Sequence, residues 1–192
     1  LENETLSIGQ RVLAQGLQLT VRGQEKIGII GPNGVGKSTL LAKLHQLLSG
    51  KREISLGFMP QDYQETLQLD LSPVEFLSQT GHKEEIQKIQ SHLASLNFSY
   101  PEMHHQIHSL SGGQQGKLLL LNLVLRKPNF LLLDEPTRNF SPTSQPEIRK
   151  LFANYSGGLV TVSHDRRFLK EVCTSIYSLT EHGLEVVDLQ DL

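Results

Sequence analysis

A glycine-rich segment in the first quarter of the chain has the pattern of a phosphate-binding loop. The segment from Gly31 to Thr39 reads G-P-N-G-V-G-K-S-T and matches G-x-x-x-x-G-K-[ST]. Glycines leave backbone N–H groups free to surround a phosphate, and the following helix directs its positive dipole end at the same anion. Lys37 is expected to reach the phosphates, and Ser38 to offer a hydroxyl to Mg²⁺. The residues expected to form this phosphate site are Gly31, Asn33, Gly34, Gly36, Lys37, Ser38 and Thr39.

Two acidic residues, Asp134 and Glu135, follow the apolar run F-L-L-L directly. A carboxylate at the end of a buried strand beside a phosphate loop can hold Mg²⁺ through its water shell, so we expect Asp134 to bind the metal. The adjacent Glu135 could polarise an attacking water. Such a pair could also simply cap a strand, but its combination with the phosphate loop favours the chemical interpretation.

A second segment suited to phosphate binding lies at residues 110–114 and reads L-S-G-G-Q. Ser111 can cap a helix, and Gly112 and Gly113 leave N–H groups open to an anion. Placed before a strand that ends in D-E, this segment resembles the signature of the ABC ATPases. The resemblance implies that two such domains face each other head to tail. It also implies that the signature of one domain, Ser111, Gly112, Gly113 and Gln114, closes on the ATP held by the phosphate loop of the other.

Two further positions resemble functional residues of the same family. Gln61 in F-M-P-Q is similar to the Q-loop glutamine, a ligand of Mg²⁺ and water, and His164 in V-S-H-D is similar to the switch histidine, which contacts the γ-phosphate. The resemblance covers nearly the whole chain and implies an ATPase that uses ATP and Mg²⁺ and needs a second ABC domain for activity. The roles it implies are Ser38, Gln61 and Asp134 for Mg²⁺, and Glu135 and His164 for hydrolysis.

The hydrophobic pattern predicts the strands and helices that must position these residues. Apolar runs that alternate with helices indicate a parallel sheet covered on both faces, and the acidic residues and His164 lie where open α/β sheets bind ligands. We expect an α/β fold with a P-loop NTPase core, a mixed sheet and an antiparallel edge from the amino-terminal strands. The single domain 1–192 would comprise a core, 1–61 and 127–192, and a helical subdomain, about 62–126. Strands are predicted at 5–8, 17–21, 26–30, 54–59, 130–133 and 159–162, and helices at 37–48, from 72, around 86–96 and at 111–126.

Composition places few limits on the partners of the chain. Hydrophobic residues make up 38% and charged residues 20%, and the net charge of −2 gives no sign of a strongly basic nucleic-acid surface. Cys173 is the single cysteine, which excludes an intrachain disulfide and favours a cytoplasmic location. No apolar run reaches the ~18 residues of a membrane helix. The sequence starts with Leu1, so we expect it to be a piece of a longer protein.

Spacing and short motifs indicate which ABC proteins the chain resembles. Few residues separate Lys37 from Gln61 in the sequence. The run S-H-D-R-R-F-L from Ser163 resembles the corresponding segment of the ABC-F proteins, which are soluble tandem ABC ATPases of which many act on ribosomes. No arm insertion follows Gln61, and T-R-N-F-S-P at 137–142 resembles the second domains of antibiotic-resistance ABC-F proteins. The implied partners are a second ABC domain of the same full-length chain and the ribosome.

A membrane transporter is the alternative, in which the chain would be an ATP-binding motor with an integral membrane subunit as its partner. Such a motor offers a groove near the Q-loop to a membrane partner. The stretch Asp62-Tyr63-Gln64-Glu65 is polar and shows no apolar socket, which favours the ABC-F interpretation.

Two positions depart from the family pattern. Ser141 stands where an aspartate usually follows E-P-T, which puts the usual contacts between two domains in doubt. Ile8 stands where an aromatic residue commonly stacks on adenine, so base binding should be weaker and less selective.

The histidines His104, His105 and His108 form the one other cluster with metal-binding chemistry. His104 and His108 could share a helix face and bind a metal. The flanking Pro101 and Ser109 instead favour a solvated connector.

Overall fold

The computed structural model describes residues 1–63 and 66–191, with the backbone alone for Asp191. It contains two compact units: the first comprises 1–61, 128–138 and 142–192, and the second 62–127 and 139–141. Gln64 and Glu65, part of the stretch predicted to be a polar surface, lie outside the described residues. Tyr63 in the same stretch is buried, so its side chain is not part of a polar surface.

The elements have the following bounds. The strands are β1 (Glu4–Ile8), β2 (Arg11–Leu17), β3 (Lys26–Ile30), β4 (Leu56–Met59), β5 (Phe130–Asp134), β6 (Gly158–Val162), β7 (Ser175–Thr180) and β8 (Gly183–Val187). The helices are α1 (Lys37–Leu48), α2 (Pro73–Leu77), α3 (Lys83–Ser95), α4 (Tyr100–His104), α5 (Gly112–Arg126), α6 (Gln145–Ala153) and α7 (Arg166–Val172).

The main sheet of the first unit has six strands in the order β4-β5-β6-β3-β7-β8. The first five strands are mutually parallel, and β8 runs antiparallel to β7. The α/β class and the mixed sheet are therefore confirmed. The antiparallel pair β1–β2 forms a separate two-stranded sheet.

The predicted strand at 17–21 is wrong, because the second strand runs from Arg11 to Leu17. Gly9, with φ of +59°, lets the chain reverse directly after β1, so β2 starts earlier than the pattern indicated. Beyond Leu17, the backbone of Leu19 makes two hydrogen bonds with Leu1. Leu19 N donates to Leu1 O (3.1 Å), and the amine of Leu1 donates to Leu19 O (2.7 Å).

The central strand β3 is covered on both faces, as its unbroken apolar sequence predicts. Alternate residues of a strand point to opposite faces. Ile27 and Ile29 pack into the core that includes α1 and the β1–β2 pair. On the other face, a Cβ on Gly28 would lie 2.6 Å from atoms of Leu169 and Ile176, so the absence of a side chain lets α7 approach the sheet. This two-sided burial fixes the strand end from which the phosphate loop departs.

The second unit is helical, and its caps follow from the sequence. Ser72 and Glu75 form a reciprocal capping box at the start of α2, as predicted. The segment predicted to be a connector contains α4 and a 3-10 turn at Ile107–Ser109, because Ser99 and Glu102 form a second capping box. In the part of the chain that the structure describes, no helix is long and apolar enough to cross a membrane.

Candidate functional site

A cavity of about 680 Å³ lies in the first unit, where the loops after β3, β5 and β6 meet. Its lining includes most of the residues that the sequence predicts for nucleotide, metal and water. Gly31 is not among the lining residues, but its carbonyl accepts a hydrogen bond from Lys37. The predicted residues that line the cavity are Asn33, Gly34, Gly36, Lys37, Ser38, Thr39, Gln61, Asp134, Glu135 and His164.

Gly36 is the residue at which the loop becomes helix α1. Its φ is +108°, and a Cβ at this position would lie 2.7 Å from a methyl of Leu13, so a larger side chain is excluded on both grounds. As the N-cap it has no side chain that could accept from the first turn of α1. The N–H groups of that turn therefore remain available to an anion, at the positive end of the helix dipole.

Lys37 is buried with its ammonium group held by the loop itself. Its Nζ donates to the carbonyls of Gly31 (2.8 Å) and Pro32 (2.9 Å). Burial lowers the pKa of Lys37, and the nearby carboxylates of Glu135 and Asp134 act in the opposite direction. The loop therefore fixes one positive charge beside two acidic groups.

Asp134 has the features of a cation ligand. Its side chain is buried, and its Oδ1 atom has no hydrogen-bond partner among the described residues. Burial raises the pKa of Asp134, while a hydrogen bond from Ser38 and the charge of Lys37 lower it. An unpartnered buried carboxylate oxygen is costly unless a ligand satisfies it. Together with the hydroxyl of Ser38 and the amide oxygen of Gln61, it forms an all-oxygen set that suits Mg²⁺.

Glu135 has an unusual backbone conformation. Its φ is +50°, a region that non-glycine residues rarely adopt, and its N–H donates to Val162 O at 2.9 Å. The carboxylate accepts from the backbone N–H of His164 at 3.3 Å, and the imidazole Nε2 lies 3.7 Å from its other oxygen. Burial raises the pKa of Glu135, and the hydrogen bond and charge of His164 oppose this rise. The carboxylate and the imidazole thus lie side by side at the cavity.

Sequence reasoning missed four polar residues that also line the cavity: Thr137, Arg138, Gln145 and Asp165. Thr137 is buried, and its hydroxyl donates to Asp165 Oδ2 at 3.1 Å. Asp165 in turn caps α7 by accepting from the N–H groups of Arg167 and Phe168. The T-R-N-F-S-P run includes this turn, and its arginine, three residues after Glu135, is the signal that could have indicated a further charged residue at the site.

The signature residues belong to the second unit, where they form the start of α5. Ser111 is the N-cap, and its hydroxyl accepts a hydrogen bond from Gln114 N at 3.3 Å. In return, the side-chain amide oxygen of Gln114 accepts from Ser111 N and Ser111 Oγ, both at 3.0 Å. Gln114 Nε2 donates to Glu102 at 2.7 Å. A Cβ on Gly112 would meet no atom within 4 Å, so this end of the helix is open.

Ile8 lies at the cavity, where its side chain is exposed. The histidine cluster makes ordinary surface contacts instead of a metal centre. His104 lies 3.2 Å from the amide nitrogen of Gln90, and His108 lies 2.8 Å from the side-chain oxygen of Gln106. The described residues contain no group of three or more His, Cys, Asp or Glu side chains positioned to hold a metal ion.

Comparisons with known proteins agree with this fold and identify the family. The family model described as ABC transporter matches residues 14–138. The chain is 31% identical to the probable ATP-binding protein YheS of Escherichia coli K12, over 98% of this chain and 31% of that protein. It is 30% identical to the ribosome protection protein VmlR of Bacillus subtilis, over 96% of this chain and 35% of that protein. The chain thus spans about a third of the length of the curated relatives it matches.

Solved structures share the fold. The dimeric ATP-binding cassette MJ0796, in a post-hydrolysis state bound to ADP and Pi, superposes with a TM-score of 0.80 at 20% identity, over 98% of this chain and 97% of that chain. The phosphate loop, the paired carboxylates and the signature helix occur together in a chain most of which the family model matches. The chain is therefore an ATP-binding domain that belongs to the ABC transporter family.

Proposed function

We propose that this domain hydrolyses ATP in the presence of Mg²⁺, as one half of a two-domain clamp. The observation that carries the proposal is one cavity lined by Lys37, Asp134, Glu135 and His164. These groups supply a phosphate-binding cation, an unpartnered carboxylate oxygen, a second carboxylate and an imidazole. That set meets the needs of phosphoryl transfer to water, which depends on positioning and charge stabilisation.

Each residue contributes a distinct interaction. The N–H groups after Gly36 and the ammonium of Lys37 bind the phosphates. Ser38, Gln61 and Asp134 would hold Mg²⁺, which supplies positive charge that offsets the negative charge on the phosphate oxygens. Glu135 orients and polarises the attacking water, and its raised pKa makes it a stronger base than an exposed carboxylate.

The signature at the start of α5 serves the nucleotide of a second ABC domain. Gly112 is open, and the capping box of Ser111 and Gln114 presets the helix end. A helix terminus of this kind binds an anion. The chain spans about a third of the length of its curated relatives, which leaves room for a second ABC domain in the same full-length protein. The T-R-N-F-S-P run and the lack of an arm insertion after Gln61 support this chain as the carboxy-terminal one of the two.

The ribosome is the partner that we favour for the full-length protein. The Bacillus subtilis relative is named a ribosome protection protein, and an Arabidopsis thaliana relative, 27% identical over 96% of this chain and 28% of that protein, is named an ABC transporter F family member. The T-R-N-F-S-P run at 137–142 adds a resemblance to antibiotic-resistance members. These similarities support a role in translation or in antibiotic resistance.

Sedimentation of the full-length protein tests this proposal. The variant Glu135→Gln, with its counterpart in the other domain also changed, should bind ATP, hydrolyse it slowly and pellet with ribosomes when ATP is present. Lys37→Ala with its counterpart changed serves as the control, because it should fail to bind ATP and stay in the supernatant. Recovery of the Glu135→Gln protein with membranes, bound to an integral membrane subunit, would instead establish a transporter motor.

A further inference from the structure

Arg138 is a cavity residue that none of the predicted roles includes. It lies in the turn that follows Glu135, and its N–H donates to Glu135 O at 3.1 Å. It lines the same cavity as Lys37, Asp134 and Glu135, and its charge acts on Asp134. The residue is exposed, so its guanidinium is accessible to a ligand.

The turn that carries Arg138 is fixed by its neighbours. Thr137, the preceding residue, is 3% exposed and donates to Asp165 Oδ2. Asp165 is itself held at the start of α7 by the N–H groups of Arg167 and Phe168, at 2.9 and 3.1 Å. The backbone of Arg138 is therefore set by contacts on both sides, which limits where its side chain can reach.

The charges around the cavity show why the positive charge of Arg138, in addition to that of Lys37, favours phosphate binding. The carboxylates of Asp134, Glu135 and Asp165 line it, whereas Lys37 and Arg138 carry the permanent positive charges among the described lining residues. The charge of Arg138 acts on Asp134, whose pKa it lowers. Without Arg138, Lys37 would be the one permanent cation among the described lining residues to face three carboxylates and an anionic ligand. Even with a bound Mg²⁺, the attraction of the site for the terminal phosphate of ATP would then be weaker.

We propose that Arg138 binds the terminal phosphate of ATP within its own domain and makes the site prefer ATP over ADP. Arg138 N donates to the backbone of Glu135, and the Glu135 carboxylate lies 3.7 Å from His164 Nε2, so both residues adjoin Glu135 at the cavity. A guanidinium presents a rigid fork of donors that matches phosphate oxygens, which a lysine cannot reproduce. This inference rests on the proposed phosphate site and adds to it a residue that selects the nucleotide.

Calorimetric titration of the protein with Mg-ATP and with Mg-ADP tests the inference. Arg138→Gln should weaken ATP binding by roughly ten-fold and ADP binding by less than about two-fold, since ADP lacks the phosphate that the guanidinium contacts. Arg138→Lys should give an intermediate loss, because it keeps the charge and loses the fork. Arg167→Gln is the matched control: it removes an exposed arginine from α7 that does not line the cavity, and both affinities should stay unchanged.

The outcomes separate this inference from the proposed function. If Lys37→Ala abolishes ATP binding while Arg138→Gln changes neither affinity, the inference alone is wrong. An equal loss of ATP and ADP affinity in Arg138→Gln would also overturn it, because the residue would then not select the terminal phosphate. If Lys37→Ala leaves ATP affinity intact, the assignment of the phosphate site fails and the role of Arg138 fails with it. Unfolding midpoints of each variant show whether a loss reflects folding, and Arg138→Lys provides the test should Arg138→Gln be unstable.

Discussion

Glu135 combines a strained backbone with a chemical role, and three substitutions separate the two. Its φ of +50° is a left-handed conformation that a residue with a Cβ adopts at a steric cost of about 1–2 kcal/mol. Glycine adopts it freely. Glu135→Ala and Glu135→Gly both remove the carboxylate and its hydrogen bond from His164 N. The difference in stability between these two variants therefore reports the backbone alone.

The size of the difference in the free energy of unfolding between Glu135→Gly and Glu135→Ala follows from two opposing effects. Glycine removes the steric cost of about 1–2 kcal/mol. It also increases the conformational freedom of the unfolded chain, which lowers the free energy of unfolding by about 0.4–1 kcal/mol relative to alanine. The steric effect is the larger, so Glu135→Gly should be more stable than Glu135→Ala by roughly 0.5–1 kcal/mol.

Urea unfolding at pH 7 measures this difference as a shift of the midpoint at constant slope. Glu135→Gln is the control for the carboxylate, since it keeps the side chain and the backbone strain. All three variants should lose ATP turnover, although their stabilities differ. If Glu135→Ala proved as stable as Glu135→Gly, the steric cost at Glu135 would be no larger than the entropic effect of about 0.4–1 kcal/mol, and our reasoning would be wrong.

Three further predictions concern the same site. Lys37→Ala should lose most ATP affinity in calorimetry while keeping its unfolding midpoint, and unchanged affinity would refute the phosphate-site assignment. Burial raises the pKa of Glu135 above its ordinary 4.5, so the folded chain loses stability as pH rises and this carboxyl group ionises. Glu135→Gln should therefore be more stable than the unmodified chain at pH 7. The difference in stability between the two should disappear below about pH 4, where the carboxyl group is protonated in both the folded and the unfolded state. The isolated chain should be monomeric in light scattering with ATPase activity near background, and turnover that is independent of protein concentration would contradict the need for a second domain.

The strands beside the site could be predicted because they are buried on both faces. The predicted strand at 26–30 and helix at 37–48 match β3 and α1, and the strand at 130–133 is one residue shorter than β5. A continuous apolar run that ends in a glycine loop or an acidic pair leaves few alternatives for its position in a parallel sheet. The phosphate loop and the carboxylates could be placed together for the same reason, since the carboxyl ends of parallel strands share one edge.

Elements that depend on tertiary contacts could not be predicted in the same way. The start of β2 is set by the reversal at Gly9 and by pairing with β1, and the local pattern showed neither. β8 exposes Val186 and is held as a strand by its pairing with β7. Thr137 and Asp165 are distant in sequence, so their hydrogen bond, and hence the position of Arg138, becomes visible only in the folded chain.

The site is assembled from groups whose positions cost the fold free energy. Burial disfavours the charged forms of Lys37, Asp134 and Glu135, and Asp134 Oδ1 has no partner among the described residues. Such an arrangement persists because the surrounding structure fixes it, here through a sheet whose central strands are packed on both faces. On the proposed function, a nucleotide and its metal ion would supply the opposite charges that these groups lack, so the same features that weaken the fold would favour binding. The Asp134 oxygen without a partner among the described residues is thus both a local cost to stability and the observation that motivates a bound cation there.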